Sequence, residues 1–198
     1  MDHFIEQANT FHPTIKFTAE ISENKITFLD TVVFKGERFI EKSILDIKTH
    51  YKPAETFQYT HFTSCHPLGV KRGFIKGETI RLVRTNSSKT TFEECLANFK
   101  RRLEARRYPR KYVERSLSEV IFNSRQSALK PQKQKTAERL LPFVTTYHPA
   151  VKKLNKIVME NWSSIENQPL LKTTFKKSLI ISYKRGKSLK DMLVRAKL

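Results

Sequence analysis

Residues 90–103 read TTFEECLANFKRRL and predict the amphipathic helix around which we expect the fold to form. Their apolar side chains lie at positions 92, 95, 96, 99 and 103, which places them on one face of an α-helix. Thr90 with Glu93 and Thr91 with Glu94 form two overlapping capping boxes, so the helix should begin here. The stretch therefore predicts a helix with one buried face and a basic end.

Two further helical patterns flank this stretch. Upstream, residues 64–67 are typical of a helix start, and a helix over 76–84 would turn Ile80 and Val83 inward. The helix that opens downstream would bury Tyr112, Val113, Leu117, Val120 and Ile121 behind Pro109. Three helices joined by short breaks match the outline of a helix-turn-helix unit. A plain trihelical bundle with a basic outer face is the alternative.

The first sixty residues follow a period of two. Residues 15–21 alternate apolar and polar side chains, while 26–34 and 39–48 are rich in β-branched and aromatic residues. Short polar turns at 23–25 and 35–37 separate these runs. We therefore expect three strands in an antiparallel β-meander.

The remainder of the chain predicts a smaller mixed segment. Residues 125–138 are polar and predict a linker. The elements expected beyond it are a strand over 143–147, a helix over 149–162, a strand over 179–183 and a final helix from Ser188.

The predicted fold class is α+β. A small antiparallel β-meander precedes a mainly helical, trihelical and helix-turn-helix-like region and a small α/β C-terminal segment. The predicted divisions are a meander over 1–60, a helical domain over 61–124, the linker over 125–138 and a C-terminal segment over 139–198.

The charge is unevenly distributed along the chain. The 198 residues carry a formal charge of +19, with a sequence pI near 10.1. Residues 1–60 have a net charge of −2, residues 61–130 of +10 and residues 131–198 of +11. Such a cationic excess favours a nucleic acid as the partner, ahead of acidic proteins or anionic membranes.

Composition excludes several classes of protein. An aromatic content of 11% is too high for a disordered polycation, and two cysteines cannot staple a secreted mini-protein. No apolar run approaches the roughly 18 residues that a membrane span needs. We therefore expect a folded intracellular protein without a membrane partner, and the sequence leaves its oligomeric state open.

Neither a metal site nor an active site is expected. The spacing of His61, Cys65, His66 and Cys95 matches no common zinc motif. Paired carboxylates and a G-x-S-x-G elbow are absent from the sequence. We therefore expect no metal, no cofactor and no catalytic residue in this chain.

Two basic runs containing glycine resemble phosphate-binding turns. Residues 71–78 interleave glycines with cations ahead of the predicted helix, and residues 183–187 place a basic turn beside Tyr183. Ordinary charged turns are the alternative for both runs. The predicted nucleic-acid contacts, mainly to phosphates, are Lys71, Arg72, Lys76, Arg81, Arg84, Lys100, Arg101, Arg102, Arg106, Arg107, Lys184, Arg185 and Lys187.

Five strings give the chain a specific resemblance. They are FLDT (28–31), YKPAETFQYTHFTSCHP (51–67), KRGFIKGETIRLVRTNS (71–87), PFVTTYHP (142–149) and ISYKRGKSLKDMLVRAKL (181–198). In this order the chain resembles the reverse transcriptases of Penelope-like retroelements, in the part that follows the palm motifs. That part includes a segment often labelled an animal helix-turn-helix domain. One departure is Arg107, since the family usually has glycine before Tyr-Pro.

The resemblance implies a role without catalysis. Residues 13–60 would correspond to strands at the end of the palm, and the basic remainder to a thumb-like grip on template and product. The YxDD-type aspartate pair and the GIY-YIG endonuclease of full-length members are absent from these 198 residues. We therefore expect a nuclear, nucleic-acid-binding fragment that does not polymerise. The alternatives are a host sequence-specific helix-turn-helix protein, a truncated gene model of an active RNA-directed DNA polymerase, and an inert relic.

Overall fold

The computed structural model describes residues 2–130, 142–170, 179–184 and 186. The helices in this part of the chain are α1 (Asp2–Thr10), α2 (Glu37–Lys42), α3 (Leu68–Thr85), α4 (Lys89–Ala105), α5 (Arg110–Leu117), α6 (Arg125–Leu129) and α7 (Val151–Glu166). The strands are β1 (Lys25–Phe28), β2 (Thr31–Phe34), β3 (Asp46–Thr49), β4 (Pro142–Thr146) and β5 (Ile180–Lys184). The predicted α+β class is confirmed.

The chain divides into two compact units. The first comprises residues 1–59 and 75–130, and the second comprises residues 60–74 and 131–198. The predicted domain boundaries stay a prediction, but the hydrogen bonds of β3 place the sheet in the same unit as α4 and α5.

The first unit contains the expected antiparallel meander, in the order β1-β2-β3. Two of its predicted strand boundaries are wrong. Residues 26–34 form a hairpin rather than one strand, because the chain turns at Leu29, where φ is 52°. Residues 39–48 begin in α2 and end in β3, because Arg38 holds the short helix against Asp46 with an Nε–Oδ1 distance of 2.6 Å.

The strand predicted over 15–21 is also absent. These residues have neither helical nor strand structure, and all of them are exposed. Among the described residues no strand pairs with them; instead Asn9 binds the backbone N–H and C=O of Phe17 at 2.5 and 3.0 Å. A strand forms only when a partner accepts its backbone hydrogen bonds, and the described chain supplies none here.

The apolar face predicted for α4 is confirmed. Phe92, Phe99 and Leu103 are buried, and the other two positions of the face are half-buried. The remaining buried apolar residues of the first unit are Ile75, Leu82, Val83, Tyr108, Val113 and Leu117. Ile121 is exposed rather than buried, because α5 ends at Leu117.

The start of α4 differs from the prediction. Ser88 caps the helix, since its Oγ accepts a hydrogen bond from the N–H of Thr91 at 3.2 Å. The two capping boxes therefore lie inside the first turn rather than at its boundary. The cap lies earlier in the chain than predicted because Asn86 and Ser87 are held against β3.

The first six residues of the predicted linker are ordered. Residues 125–129 form α6, and the guanidinium Nε of Arg125 donates to the carbonyl of Asn86 at 2.8 Å. In return, Arg84 Nε donates to the carbonyl of Ala128 at 2.7 Å. These two contacts anchor the segment on the end of α3, while residues 131–138 lie outside the described chain.

The second unit contains the mixed segment that the sequence predicts. Strands β4 and β5 pair in parallel, with Phe143 opposite Ile181, and α7 lies between them in the sequence. Trp162 and Leu179 are the buried apolar residues of the described part of this unit. The helix predicted from Ser188 lies outside the described residues.

The turn between α3 and α4 binds the free edge of β3. Asn86 is fully buried, and its side-chain oxygen accepts from the N–H of Thr49 at 3.2 Å. Its amide nitrogen donates to Thr49 Oγ1 at 2.7 Å and to the carbonyl of Leu82 at 2.8 Å. Ser87 and Ile47 exchange backbone and side-chain hydrogen bonds beside it. The edge of β3 is therefore completed by a turn instead of another strand.

Asp46 adds a charged group to this junction. It is buried, and its Oδ1 accepts from Ser87 Oγ at 2.7 Å as well as from Arg38. Burial alone raises the pKa of Asp46, but the hydrogen bonds from Ser87 and Arg38, with the Arg38 charge, lower it below the ordinary value for an aspartate. A methyl group at Gly36 would collide with this carboxylate, which explains the glycine at that position.

The junction predicts a large effect of Asn86→Ala. Removing the amide leaves the Thr49 N–H and its hydroxyl without this buried partner, so we expect the free energy of unfolding to fall by about 2–4 kcal/mol. Urea denaturation followed by circular dichroism measures the change. Asn123→Ala is the matched control, because Asn123 is exposed on a 3-10 turn and should change stability by less than about 0.5 kcal/mol. Equal effects of the two substitutions would contradict this role.

Candidate nucleic-acid interface

The turn between α4 and α5 has the connection of a helix-turn-helix unit. Helix α4 ends at Ala105, and the chain turns at Arg106 and Arg107 before Pro109 leads into α5. The N–H of Arg107 donates to the carbonyl of Glu104 at 2.8 Å, and that of Tyr108 donates to Leu103 at 3.1 Å. These bonds close the end of α4 and set the direction of α5.

Arg107 adopts a backbone conformation that favours glycine. Its φ is 61°, in the left-handed region that side chains other than glycine rarely adopt. The side chain itself is exposed. The turn therefore forms with arginine at this position and has an exposed guanidinium on its surface.

The two helices enclose a small groove. It has a volume of about 230 Å³ and is lined by Lys100, Glu104, Arg110, Val113 and Glu114. Arg110 donates to Glu114 at 2.9 Å, which orients its guanidinium along α5. The groove thus brings a cation of α4 together with a cation of α5.

Helix α5 carries exposed cations that the sequence prediction missed. Arg110, Lys111 and Arg115 are exposed, while Val113 and Leu117 on the opposite side are buried. The apolar positions already predicted for this helix imply that residues 110, 111 and 115 face outward. These three cations do not form one consecutive run in the sequence, and only their helical spacing shows that they share an exposed face.

The predicted contacts on α4 separate into exposed and internal groups. Lys100 and Arg101 are exposed, and Arg101 also donates to the side chain of Asn98. The guanidinium of Arg102 instead lies 3.2 Å from the ring centre of Phe57 and 4.9 Å from that of Tyr51. Arg102 therefore supports the aromatic segment that follows β3 and is poorly placed for phosphate.

The predicted contacts on α3 in the first unit have acidic or carbonyl partners. Arg81 donates to both carboxylate oxygens of Glu78 at 2.6 and 3.0 Å, and this pairing raises its pKa. Lys76 pairs with Glu119 at 3.2 Å, and Arg84 is exposed but binds the carbonyl of Ala128. Arg106 is half-buried in the turn after α4.

Lys71, in the second unit, is misplaced for a phosphate contact. Only 5% of it is exposed, and its ammonium donates to the carbonyls of Phe62 and Ser64. Burial also lowers its pKa. Gly73 and Gly77 lie inside α3, where the amides bond along the helix, so residues 71–78 form no phosphate-binding turn.

The other predicted contacts of the second unit are only partly described. Arg72 is exposed on α3, and Lys184 is exposed at the end of β5. Lys184 lines a groove of about 580 Å³ together with Tyr147 and Tyr183, whose rings meet edge to face at 5.2 Å. Arg185 and Lys187 lie outside the described residues. The prediction of a basic turn beside Tyr183 therefore stays a prediction.

The described residues contain no cluster of three or more His, Cys, Asp or Glu side chains that could hold a metal ion. Within the same part of the chain, no helix is long and apolar enough to cross a membrane.

The position of Arg102 predicts a loss of stability from Arg102→Ala. The substitution removes a guanidinium stacked on two aromatic rings, so the free energy of unfolding should fall by about 1–2 kcal/mol. Arg101→Ala is the control, and its exposed side chain should be nearly neutral. Chemical denaturation compares the two variants. A larger loss for Arg101→Ala would show that the stacking is unimportant.

The turn predicts the opposite outcome for Arg107→Gly. Glycine relieves the left-handed strain, so we expect a gain of about 0.5–1 kcal/mol, while Arg107→Ala should give no such gain. Thermal unfolding of the three proteins measures this difference. A destabilised glycine variant would mean that the arginine side chain contributes more than its backbone conformation costs.

Comparison with known proteins supports a helix-turn-helix arrangement of these helices. Residues 58–118, which span α3, α4 and α5, match the family model of the animal helix-turn-helix domain. Searches among curated proteins and among solved structures give no match. This chain therefore contains a helix-turn-helix region, and a region of this kind indicates that it binds DNA.

Proposed function

We propose that this chain grips duplex DNA or an RNA–DNA hybrid through its phosphates, using the helix-turn-helix region. The observation that carries the proposal is the match of residues 58–118 to that domain, together with the exposed cations of α5. In such units the second helix lies in the major groove while its neighbour crosses the backbone.

The distribution of partners supports contact through α4 and α5. Lys111 and Arg115 are exposed, and no ion pair joins either of them to a carboxylate within the described chain. Lys100 is similarly exposed on the adjoining helix. Arg81 and Lys76 are instead held by Glu78 and Glu119. Cations without acidic partners bind phosphate without first breaking an internal ion pair.

The origin that we propose is a Penelope-like reverse transcriptase. It is supported by the five strings of the resemblance and by the agreement between their helix-turn-helix segment and residues 58–118. The chain would act as a thumb-like grip in the nucleus. It would not polymerise by itself, since phosphoryl transfer requires metal-binding carboxylates of the kind that the YxDD-type motif supplies.

A second candidate function is sequence-specific recognition by a host DNA-binding protein. The exposed first turn of α5 favours it, because Arg110 and Lys111 occupy the end of the second helix that usually contacts bases. Competition with random duplex separates the two functions. A specific reader should prefer one site by about a thousand-fold or more, whereas a backbone grip should show little preference.

The proposal predicts salt-dependent binding that α5 controls. With about eight phosphates neutralised, the slope of log K against log salt should be near −7, measured by fluorescence anisotropy on a 20-base-pair duplex. Lys111→Glu with Arg115→Glu should weaken binding at least tenfold and reduce the slope by about two, since two phosphate contacts are lost.

The matched control reverses two exposed lysines of the first sixty residues, Lys42→Glu with Lys52→Glu. This variant has the same net charge as the α5 variant, so it separates a local contact from a general electrostatic effect. We expect its affinity to stay within about threefold of the parent at 0.15 M salt, because screening limits distant charges. Equal weakening by both variants, or binding that ignores salt, would refute the proposed interface.

A further inference from the structure

The segment over residues 15–21 has the pattern of a strand without the structure of one. It reads IKFTAEI, with an apolar side chain at every second position. These side chains are exposed to solvent: 51% of Ile15, 53% of Phe17 and 61% of Ile21. Exposed apolar residues in a row mark an interaction surface, and the described residues supply no strand to cover this one.

One backbone edge of this segment is available for pairing. In a strand, the N–H and C=O groups of alternate residues lie along opposite edges. Asn9 already binds the edge that contains Phe17. The backbone groups of Lys16, Thr18 and Glu20 would form the other edge, and they have no hydrogen-bond partner within the described residues. An open edge of this kind is a template for a second strand.

The segment is complementary to itself when two copies run antiparallel about Thr18. The cross-strand pairs are then Lys16 with Glu20, Ile15 with Ile21, Phe17 with Ala19, and Thr18 with Thr18. Each unequal pair occurs twice, as two-fold symmetry requires. Opposite charges, β-branched pairs and a threonine pair are cross-strand combinations that stabilise sheets, and the large Phe17 faces the small Ala19.

The charge of the surrounding chain favours a second copy over a nucleic acid at this position. Residues 1–60 have a net charge of −2, whereas the remaining chain has a net charge of +21. Residues 15–21 themselves contain one lysine and one glutamate, so they have no net charge with which to attract phosphate. An apolar row in a slightly acidic region offers little to phosphate.

We infer that residues 15–21 are a dimerisation strand through which two copies of this chain pair in antiparallel register about Thr18. At the symmetry axis, the N–H of each Thr18 donates to the carbonyl of the other. The pairing uses the edge opposite Asn9, so the Asn9 contacts persist in the dimer. Two seven-residue strands make a small interface compared with the usual 1,200–2,000 Å². The dimer should therefore dissociate on dilution through the micromolar range.

Charge reversal tests both the pairing and its register. Sedimentation equilibrium of the full chain, freed of nucleic acid, should show a dissociation constant raised at least tenfold by Lys16→Glu and by Glu20→Lys. The double variant K16E/E20K should return it to within about threefold of the parent. An equimolar mixture of the two single variants should form a heterodimer, because each then supplies the charges that the other needs.

Three controls separate pairing from other effects. Lys42→Glu makes the same charge change on α2 and should leave dimerisation unaffected. Thr18→Pro removes the N–H at the axis and should abolish the dimer, whereas Thr18→Val should preserve it. Lys16 also donates to the carbonyl of Asn9 at 3.1 Å, so restoration by the double variant distinguishes the charge pair from loss of that bond.

Dimerisation through residues 15–21 does not depend on nucleic-acid binding, so the two interactions can be tested separately. Since residues 15–21 are exposed and outside regular elements, the variants should keep the parent circular dichroism spectrum. A chain that stays monomeric at 200 μM, on the order of a hundred times the expected dissociation constant, would overturn it. A dimer insensitive to Thr18→Pro would do so as well, and so would failure of the double variant to restore association.

Discussion

The hydrogen bonds between the α3–α4 turn and β3 are the constraint on which the first unit depends. A sheet of three four-residue strands is too small to be stable alone. Asn86 and Ser87 complete its open edge, and Asn86 also bonds back to Leu82, so one turn ties the sheet to α3. Arg125 adds α6 to the same turn through the carbonyl of Asn86. Loss of this turn would therefore weaken the attachment of the sheet to α3.

The cations of this protein serve two different purposes. Some are structural: Lys71 is buried on carbonyl oxygens, Arg81 is held by Glu78, and Arg102 lies on aromatic rings. Others, such as Lys111 and Arg115, are exposed on the helix that follows the turn. The two classes differ in their partners, because a guanidinium inside the fold needs acceptors or rings to compensate for lost hydration. Net charge by itself therefore overstates the surface available to phosphate.

The uneven charge of the chain also separates its two proposed interactions. The helix-turn-helix region, residues 58–118, lies almost entirely after residue 60, where the excess of cations is found, and the self-complementary segment lies before it. A polyanion and a second copy would therefore bind different stretches of the chain. Binding of DNA would also screen the repulsion between the cationic parts of two copies, so the two interactions are compatible in charge.

Helices α4, α5 and α7, the α+β class and the buried face of α4 follow from the sequence alone, because helical burial repeats every three to four residues within one segment. The same local information misassigned residues 39–48, since the contact of Arg38 with Asp46 involves residues eight apart. It could not place Arg102 on Phe57, or Asn86 on Thr49, because these contacts join distant parts of the chain. It also could not show that residues 15–21 lack a pairing strand in the described structure. An alternating pattern predicts a strand but does not identify the strand that pairs with it. The sequence by itself therefore determined the helical periodicity and the net charge. Only the tertiary structure decided which of the described cations are exposed and which sheet edges are paired, because both depend on contacts between distant residues.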